Sequence, residues 1–273
     1  PLGSLVARAL QRVDAIACVS AAVASYWTLA APYLDQSRLW VTYNGVRVPP
    51  AEAYPTPAAA RAALGLPAEA RILGTVGRMV RGKGQEFLIR ALPDIVAGVP
   101  EALLVMAGSG PYEPTLKELA ATLGVADKTH FLGWREDIPQ ILPAFDVFAH
   151  TPTLETHRQP RGLHLPDCPA LGGEACGRAL PEAMAASLPI IATDSGGNAE
   201  LVLAGETGYL AGAEDVAAIA EAAVKLLSRP DQARRMGQAG RERAVAEFSL
   251  EALGLRYHYL IQTLFGAQPA PNT

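Results

Sequence analysis

The sequence predicts an α/β fold in which a parallel sheet carries helices on both faces, and three observations support this prediction. From about Arg71 onward, short apolar runs alternate with amphipathic segments, which is the pattern of successive βαβ units. The apolar runs are nearly continuous, as expected for parallel strands that are buried on both sides. After Gly212 the pattern becomes wholly helical, so we expect a helical C-terminal tail.

Each predicted element is bounded by residues that interrupt regular structure. Gly or Pro flanks the apolar runs, and apolar residues at helical spacing mark the segments between them. The predicted strands lie at 72–79, 102–108, 130–134, 146–151 and 189–193. The predicted helices lie at 85–97, 113–122, 138–145, 181–186, 213–227, 230–248 and 249–265.

The first fifty residues do not fit this layout. A strand-like run at 14–20, a helical segment at 21–31 and a strand followed by a turn at 39–46 precede a proline-rich linker. In that linker, Thr56 is the predicted N-cap of a helix that has Pro57 in its first turn. We expect residues 5–50 to be the end of a separate N-terminal domain plus a hinge, and residues 51–248 to form the main domain.

The remaining boundaries follow from composition. Residues 1–4 have the sequence Pro-Leu-Gly-Ser, which we interpret as the remnant of a cleaved expression tag. Residues 155–173 form a long, irregular, proline-rich loop, and loops of that length are usually lids or disordered segments. Residues 249–266 are predicted to form a C-terminal crossover helix, and residues 267–273 a disordered tail.

Composition and charge exclude several classes of function. The chain has 273 residues, 50% of them hydrophobic, and a net charge of −4, which argues against a dedicated nucleic-acid-binding protein. No run approaches about 18 uninterrupted apolar residues, so no membrane span is expected. Three cysteines without metal-ligand spacing fit a reducing compartment, and we expect a cytoplasmic location.

The stretch from Glu174 to Glu200 is the most informative part of the chain. Two carboxylates, Glu174 and Glu182, are separated by seven residues, with a small-residue loop and the start of a helix between them. A buried strand and a Gly-Gly turn at Gly196 and Gly197 follow. A carboxylate, a flexible loop, a helix N-terminus and the carboxyl end of a strand therefore converge on one crevice, as in α/β proteins that bind phosphorylated ligands.

A second candidate element is the glycine-rich loop from Gly77 to Gly84, which follows the first strand of the sheet. It carries Arg78 and Lys83 beside exposed backbone N–H groups, an arrangement suited to a diphosphate. The alternative is an ordinary turn with solvated charges, and the loop alone does not decide between them. It is not a Walker A loop, because no Ser or Thr follows Lys83.

Several other residues have both a functional and a structural interpretation. Trp134, in the sequence FLGWRED, is placed to stack on a base, but packing in the core is the default expectation. Cys176 near a helix start is either a reactive thiol or a small buried residue, and the second is favoured. His130 and His150 are expected to be structural. No Asp-x-Asp pair occurs, so we expect no metal, and the cations Arg78 and Lys83 would neutralise a diphosphate themselves.

These motifs, taken in order, resemble one known family. The segments DAIACVS, YNGV, GRMVRGKG, VMAGSGP, HFLGWRED and DVFAHTPT are followed by EACGRALPEAMAASLPIIATDSGGNAELV, GETGYLAG and RERAVAEFS. Together they are similar to the donor-binding half of the GT-B glycosyltransferases of the large retaining family 4. The resemblance covers about residues 5–265 and implies two facing Rossmann-like, doubly wound domains, of which this chain holds the C-terminal one and a remnant of the N-terminal one.

The resemblance also implies roles for individual residues. Arg78 and Lys83 match the pair that binds the donor diphosphate, Glu174 the carboxylate beside the donor sugar, and Glu182 the carboxylate that holds the ribose. The positions that would contact donor are Gly77, Arg78, Lys83, Trp134, Arg135, Glu174, Cys176, Gly177, Arg178, Ala179 and Glu182, of which Arg78, Lys83 and Glu174 would be catalytic.

The resemblance implies a metal-independent, retaining hexosyltransferase that needs no cofactor and uses a nucleotide-diphospho-sugar, most simply a UDP-sugar. The acceptor, whether glycan, lipid or small molecule, stays open. The fragment is expected to bind donor yet be inactive alone, because the rest of the N-terminal domain supplies the acceptor site. Peripheral attachment of the complete protein to the inner face of the membrane stays open as well.

Two alternatives of a different class remain. One is an epimerase or a glycan phosphorylase of the same architecture, and the other is a non-catalytic nucleotide-sugar-binding domain. We also expect self-association, because residues 5–50, called the first segment below, contain apolar residues that an N-terminal domain would cover. These residues are Val6, Ala9, Leu10, Ile16, Trp27, Leu29 and Trp40.

Overall fold

The computed structural model describes residues 9–154 and 174–266, and within them the main element is a six-stranded parallel sheet. Its strands are β3 (Arg71–Val76), β4 (Ala102–Ala107), β5 (Thr129–Phe131), β6 (Val147–His150), β7 (Ile190–Thr193) and β8 (Gly208–Ala211). They lie in the order β5-β4-β3-β6-β7-β8. This order is that of a doubly wound sheet, so the predicted fold class is confirmed.

The helices of the described residues cover both faces of this sheet and continue to the C-terminus. They are α1 (Ala21–Ala30), α2 (Pro57–Ala63), α3 (Gln85–Gly98), α4 (Glu113–Thr122), α5 (Ile138–Ile141), α6 (Ala179–Ala185), α7 (Asn198–Leu201), α8 (Val216–Leu227), α9 (Pro230–Phe248) and α10 (Leu250–Phe265). Short 3-10 turns lie at Gln36–Arg38, Ala51–Ala53, Arg81–Lys83, Ala126–Lys128 and Leu142–Ala144.

Two hydrophobic clusters, one on each face, explain why the strands are apolar along their whole length. On β3, Leu73 packs into the cluster that contains α3 and α8, whereas its neighbour Ile72 packs into the cluster that contains α6 and α9. Successive side chains of a strand point to opposite faces. Both faces of β3 are therefore buried, and the strand needs apolar residues at both.

The strand order reverses between β3 and β6, which lie side by side. The connection after β3 runs towards β4, and the connection after β6 runs towards β7 on the other side. The two connections therefore diverge at the carboxyl ends of these strands and leave a crevice. Ligands of doubly wound sheets bind at this position.

The first segment forms a small structure of its own. β1 (Ile16–Cys18) and β2 (Leu39–Val41) pair in parallel as a separate two-stranded sheet, with α1 between them in sequence. The predicted cap of α2 is present, because the Thr56 side chain accepts a hydrogen bond from Ala59 N. The domain boundaries expected at residues 50 and 248 stay a prediction.

The C-terminal helix returns to this first segment. Leu250 N donates to Val46 O at 3.1 Å, and Val46 N donates to Phe248 O at 2.8 Å. Farther along α10, the Tyr259 ring meets the Trp40 ring edge to face, with 6.0 Å between the centroids. α10 therefore bridges the main domain and residues 9–46.

Several elements of the structure differ from the predictions. The edge strand β8 was missed, because Gly208 and Gly212 surround a run of only three other residues. The predicted helix at 138–145 is a single α-turn followed by a 3-10 turn, since Pro143, inside the predicted segment, removes a helical hydrogen-bond donor. α6 begins at Ala179, two residues before the predicted start at Pro181, because proline is accommodated in the first turn. The expectations for residues 1–4, 155–173 and 267–273 lie outside the described residues.

Candidate active site

The loop between β3 and α3 is fastened to the end of β6. Thr151 Oγ1 donates a hydrogen bond to Gly84 O at 3.1 Å. Gly84 has φ of +65°, and a Cβ there would lie 1.8 Å from Thr151 O, so only glycine fits. Gln85 Nε2 in turn donates to Arg78 O at 3.0 Å. These contacts hold the segment that carries Arg78 and Lys83 against the crevice.

The chemistry of the crevice centres on the carboxylate of Glu174. Lys83 Nζ forms a charge-assisted hydrogen bond and ion pair with Glu174 Oε2. His150 Nε2 lies 3.2 Å from the same oxygen. The connections after β3 and after β6 thus meet at one carboxylate oxygen, although Lys83 and Glu174 are 91 positions apart in the chain.

This environment keeps Glu174 ionised. Burial by itself would raise the pKa of the carboxyl group, because it disfavours the charged form. The hydrogen bond of His150 and the charge that its imidazole carries when protonated, followed by the hydrogen bond and charge of Lys83, outweigh burial and lower the pKa of Glu174 to about 2. Glu174 is therefore an anion at any physiological pH.

The small residues after Glu174 let the backbone pass close to this cluster. A Cβ at Gly177 would lie 2.9 Å from His150 Nε2, so a larger residue would displace the imidazole. Cys176 is buried, and burial raises the pKa of its thiol, which agrees with a packing role. Its carbonyl oxygen accepts a hydrogen bond from Asn44 Nδ2 at 3.4 Å, which connects this loop to the first segment.

Glu182 lies one turn into α6, beside a cavity of about 320 Å³. Burial raises the pKa of Glu182, and the neighbouring Arg178 opposes that effect. Arg178 NH2 is 3.3 Å from Glu182 Oε1, and its side chain is 70% exposed. The cavity is also lined by Glu136 and Ile138, which lie at the turn after β5. The turn predicted to border a base therefore shares a cavity with Glu182.

Trp134 and Arg135 occupy that turn, and Trp134 is not packed as expected. Trp134 is 67% exposed, so the expectation that it packs in the core is wrong. The Gly133 turn, with φ of +67°, directs the chain away from the sheet before α5. Arg135 pairs with Asp137 through two contacts, 2.8 Å and 2.6 Å long. Its guanidinium is thereby held within the turn.

The predicted residues fall into a contacting group and a neighbouring group. Lys83 and Glu174 are in direct contact, and Gly177 packs against Glu174. Arg78 is exposed, and no described residue pairs with its guanidinium. The remaining predicted positions flank the crevice without contacting this cluster; they are Gly77, Trp134, Arg135, Cys176, Arg178, Ala179 and Glu182.

The sequence analysis missed one member of the cluster. His150 was expected to be structural, yet it contacts Glu174 directly and its residue surface is 5% exposed. The available signal was its position: an ionisable residue that ends a buried strand next to the strand preceding the glycine-rich loop. Without the register of β6 against β3, that signal could not be separated from an ordinary strand end.

Two features are absent from the part of the chain that is described. Within residues 9–154 and 174–266, no three His, Cys, Asp or Glu side chains are grouped closely enough to hold a metal ion. In the same ranges, no helix has both the length and the apolar character needed to cross a bilayer.

A second cavity, of about 360 Å³, lies near Arg71 and Pro189 at the amino ends of the strands, opposite the crevice.

Comparison with known proteins assigns the chain to a family. Residues 58–243 match the family described as glycosyl transferases group 1. The chain belongs to this family. It is therefore a group 1 glycosyltransferase chain, and the matched region contains Arg78, Lys83, His150, Glu174 and Glu182.

Curated relatives of this glycosyltransferase chain include two bacterial mannosyltransferases. The chain is 36% identical over 186 residues to a GDP-mannose-dependent alpha-(1-6)-phosphatidylinositol monomannoside mannosyltransferase of Mycolicibacterium smegmatis, covering 68% of this chain and 46% of the relative. It is 35% identical over 207 residues to a GDP-mannose-dependent monoacylated alpha-(1-6)-phosphatidylinositol monomannoside mannosyltransferase of Corynebacterium glutamicum, covering 75% and 50%. The chain thus spans about half the length of these relatives.

The fold of this glycosyltransferase chain is similar to that of solved structures. Anabaena HepE, crystallised in complex with UDP and glucose, aligns with a TM-score of 0.79 over 96% of this chain and 66% of that one. The two sequences are 23% identical. At that identity the similarity establishes the shared fold alone.

Proposed function

We propose that this chain is the donor-binding half of a retaining, metal-independent glycosyltransferase. The enzyme transfers a hexosyl group from a nucleotide-diphospho-sugar to an acceptor hydroxyl. The observation that carries the proposal is the meeting of Lys83 and Glu174 at the carboxyl ends of β3 and β6. A mobile cation and a fixed carboxylate suit a diphosphate and a sugar hydroxyl respectively.

The diphosphate is proposed to lie at the glycine-rich loop. Arg78 is exposed beside the loop, and Lys83 lies in the crevice in contact with Glu174, so an anionic ligand on the loop would compete with Glu174 for Lys83. Bond cleavage leaves additional negative charge on the diphosphate. Cations positioned at that charge stabilise the transition state more than the ground state, which lowers the barrier.

The nucleoside is proposed to occupy the cavity beside Glu182. This carboxylate accepts hydrogen bonds from the paired hydroxyls of the ribose, and the Trp134 turn borders the base. The cavity of about 320 Å³ between Glu182 and Glu136 supports this placement. Glu174 lies nearer the loop of Lys83, where it would face the sugar.

The transfer is proposed to proceed on one face of the sugar. The acceptor hydroxyl attacks the anomeric carbon from the side on which the diphosphate leaves, and an oxygen of the leaving phosphate takes the hydroxyl proton. Configuration at the anomeric carbon is then retained. The protein's contributions are positioning and electrostatic stabilisation.

Donor and acceptor are proposed at the level of chemical class. A uridine nucleotide stays the prediction from sequence, whereas the names of the two mannosyltransferases favour GDP-mannose. Their names also favour a lipid-linked acceptor at a membrane surface, which fits a peripheral location for the complete protein. Because this chain spans about half of those relatives, we expect donor binding without efficient transfer.

The test is calorimetric titration of this chain with GDP, UDP and ADP, repeated on Glu182→Ala. We expect one nucleotide to bind and the substitution to weaken binding about tenfold or more, because hydrogen bonds to a charged group contribute about 1.5–3 kcal/mol. Glu206→Ala, at an exposed turn, is the matched control and should bind as the unaltered chain does. Absence of binding by all three nucleotides would contradict the proposal for this chain.

A further inference from the structure

One buried imidazole in the crevice has no part in the function proposed above. His150 is the last residue of β6, and its side chain is 6% exposed. Its Nε2 lies 3.2 Å from Glu174 Oε2, the same oxygen that Lys83 contacts. Because Glu174 is ionised and can only accept, Nε2 must carry the proton of this hydrogen bond.

Within residues 9–154 and 174–266, the elements next to this imidazole carry few charged groups. The strands on either side, β3 and β7, end in Val76 and Thr193, which do not ionise in this range. The glycine-rich loop contributes Lys83, and the connection before α6 contributes Glu174 together with the buried Cys176 thiol.

Other charged groups around the crevice are paired or exposed. Arg178 and Glu182 pair with each other on α6. Arg78, Arg81 and Asp194 are exposed at the surface. Among the described residues, His150 therefore senses mainly Glu174 and, through it, Lys83.

The ammonium group of Lys83 cannot bind Glu174 and a diphosphate equally well at the same time. In the free protein its ammonium group is in contact with Glu174. A diphosphate on the glycine-rich loop carries two or more negative charges and competes for that ammonium group. As Lys83 turns to the diphosphate, Glu174 retains one donor, the imidazole of His150, in a largely buried site. A buried carboxylate that loses its countercharge is strongly unfavourable.

We propose that His150 is a positioning residue that becomes the charge partner of Glu174 when a diphosphate engages Lys83, so that nucleotide binding takes up a proton on the imidazole. The inference rests on the proposed function, because it assumes a diphosphate at the glycine-rich loop. The proton comes from solvent and binds Nδ1, since Nε2 already carries one. His150 then holds Glu174 ionised and in place beside the sugar.

The sign of the pH dependence follows from linkage. A ligand that binds more tightly to the protonated form raises the pKa of the group, and its affinity rises as pH falls through that range. Histidine is the side chain that ordinarily titrates between pH 5 and 8. Nucleotide affinity should therefore increase between pH 8 and pH 6. Protonation of the nucleotide's own phosphate, near pH 6, acts in the opposite direction, because the cations of the site favour the more highly charged phosphate.

The experiment is calorimetric titration of the chain with GDP and with UDP at pH 7, in two buffers of different ionisation enthalpy. The dependence of the binding enthalpy on the buffer gives the number of protons taken up. We expect uptake approaching about one proton per nucleotide in the unaltered chain. His150→Gln keeps an N–H donor but cannot be charged, so its uptake should fall to that of the nucleotide alone.

The nucleotide affinities of the unaltered chain and of His150→Gln separate the effect of the imidazole charge from the effect of its hydrogen bond. At pH 8 the unaltered chain and His150→Gln should bind within about threefold of each other, because an uncharged imidazole and the glutamine amide both donate one hydrogen bond to Glu174. At pH 6 the unaltered chain should bind about tenfold more tightly, a difference of about 1.4 kcal/mol. His150→Ala, which lacks the donor, should bind more weakly at both pH values.

A second measurement covers the case in which the substituted proteins do not fold. The ring of His150 can be titrated by NMR in the unaltered chain, with and without nucleotide, and its pKa should rise on binding. Equal proton uptake by the two proteins, or an imidazole pKa that nucleotide leaves unchanged, overturns the role of His150 and leaves the proposed function intact. Failure of GDP, UDP and ADP alike to bind overturns the proposed function and this inference together.

Discussion

The hydroxyl of Tyr43 donates a hydrogen bond to Glu200 Oε2 at 3.0 Å, across 157 positions of the chain. The same carboxylate accepts from the backbone N–H groups of Ala21 and Ala22, each at 2.7 Å. Burial, followed by the charge of Glu200, raises the pKa of Tyr43 to about 12, so this hydroxyl stays a donor. Glu200 on α7 therefore fastens the first segment to the main domain.

Glu200→Gln should weaken that attachment. The two N–H groups belong to the first turn of α1, where no intrahelical acceptor exists, and a carboxylate there also interacts favourably with the helix dipole. We expect a loss of about 1–2 kcal/mol in the free energy of unfolding and faster hydrogen exchange at Ala21 and Ala22. Glu221→Gln, on the exposed side of α8, is the control; equal exchange rates in the two variants would refute the role of Glu200.

Two glycine-to-alanine substitutions should have opposite effects on stability. At Gly74, in the middle of β3, a Cβ would lie 2.0 Å from the buried ring of Phe145, so we expect a loss of about 3 kcal/mol. At Gly254, on α10, no atom lies within 4 Å, and alanine should gain about 0.5–1 kcal/mol. Denaturant unfolding measures both, and equal stabilities would contradict the packing at β3.

The stability that Glu174 contributes should depend on pH. Its pKa falls from 4.5 in the unfolded chain to about 2 in the folded one. The contribution is therefore complete above pH 4.5 and is lost as pH falls towards 2. Each pKa unit corresponds to about 1.4 kcal/mol, so the contribution is on the order of 3 kcal/mol. The difference in unfolding free energy between the unaltered chain and Glu174→Gln should shrink over this range, whereas Glu206→Gln should show no such trend.

Lys83→Ala should impair transfer more than it impairs folding. Removal of a group that stabilises developing charge costs about 10²–10³-fold in rate. Steady-state transfer by a form of the protein that has both halves, with a nucleotide-sugar and an acceptor alcohol, would measure this loss. Lys117→Ala, at an exposed ion pair on α4, is the matched control. Near-normal turnover of Lys83→Ala would remove Lys83 from the mechanism.

Self-association remains a prediction, and the structure identifies where to test it. Of the apolar residues expected to be uncovered, Leu29 is 64% exposed, while Val6 lies outside the described residues. α10 adds Leu255 and Phe265, which are 70% and 69% exposed. Sedimentation of the chain should show association that Leu29→Lys and Leu255→Lys reduce and Leu123→Lys does not. A monomer at every concentration would contradict the prediction.

Much of the fold could be predicted because its signals are local. The apolar run of β3 spans 6 residues and the amphipathic pattern of α3 spans 14, so each can be identified from a short stretch of sequence. The structure confirms both elements. β8 gave no such signal, because a four-residue strand with a glycine at its first position is too short for periodicity to identify. Its pairing with β7 in the sheet, through Ile190 and Gly208, decides its conformation.

The candidate site was predictable in part for the same reason. The sequence alone determined the parallel α/β architecture and marked Lys83, Glu174 and Glu182, because glycine-rich loops and helix starts are short-range patterns. Only the tertiary structure decided that Lys83 and His150 share one oxygen of Glu174, and that Glu200 caps a helix 178 positions away. These contacts depend on the order and register of strands that are distant in the chain, and no local pattern specifies the distance between two such side chains.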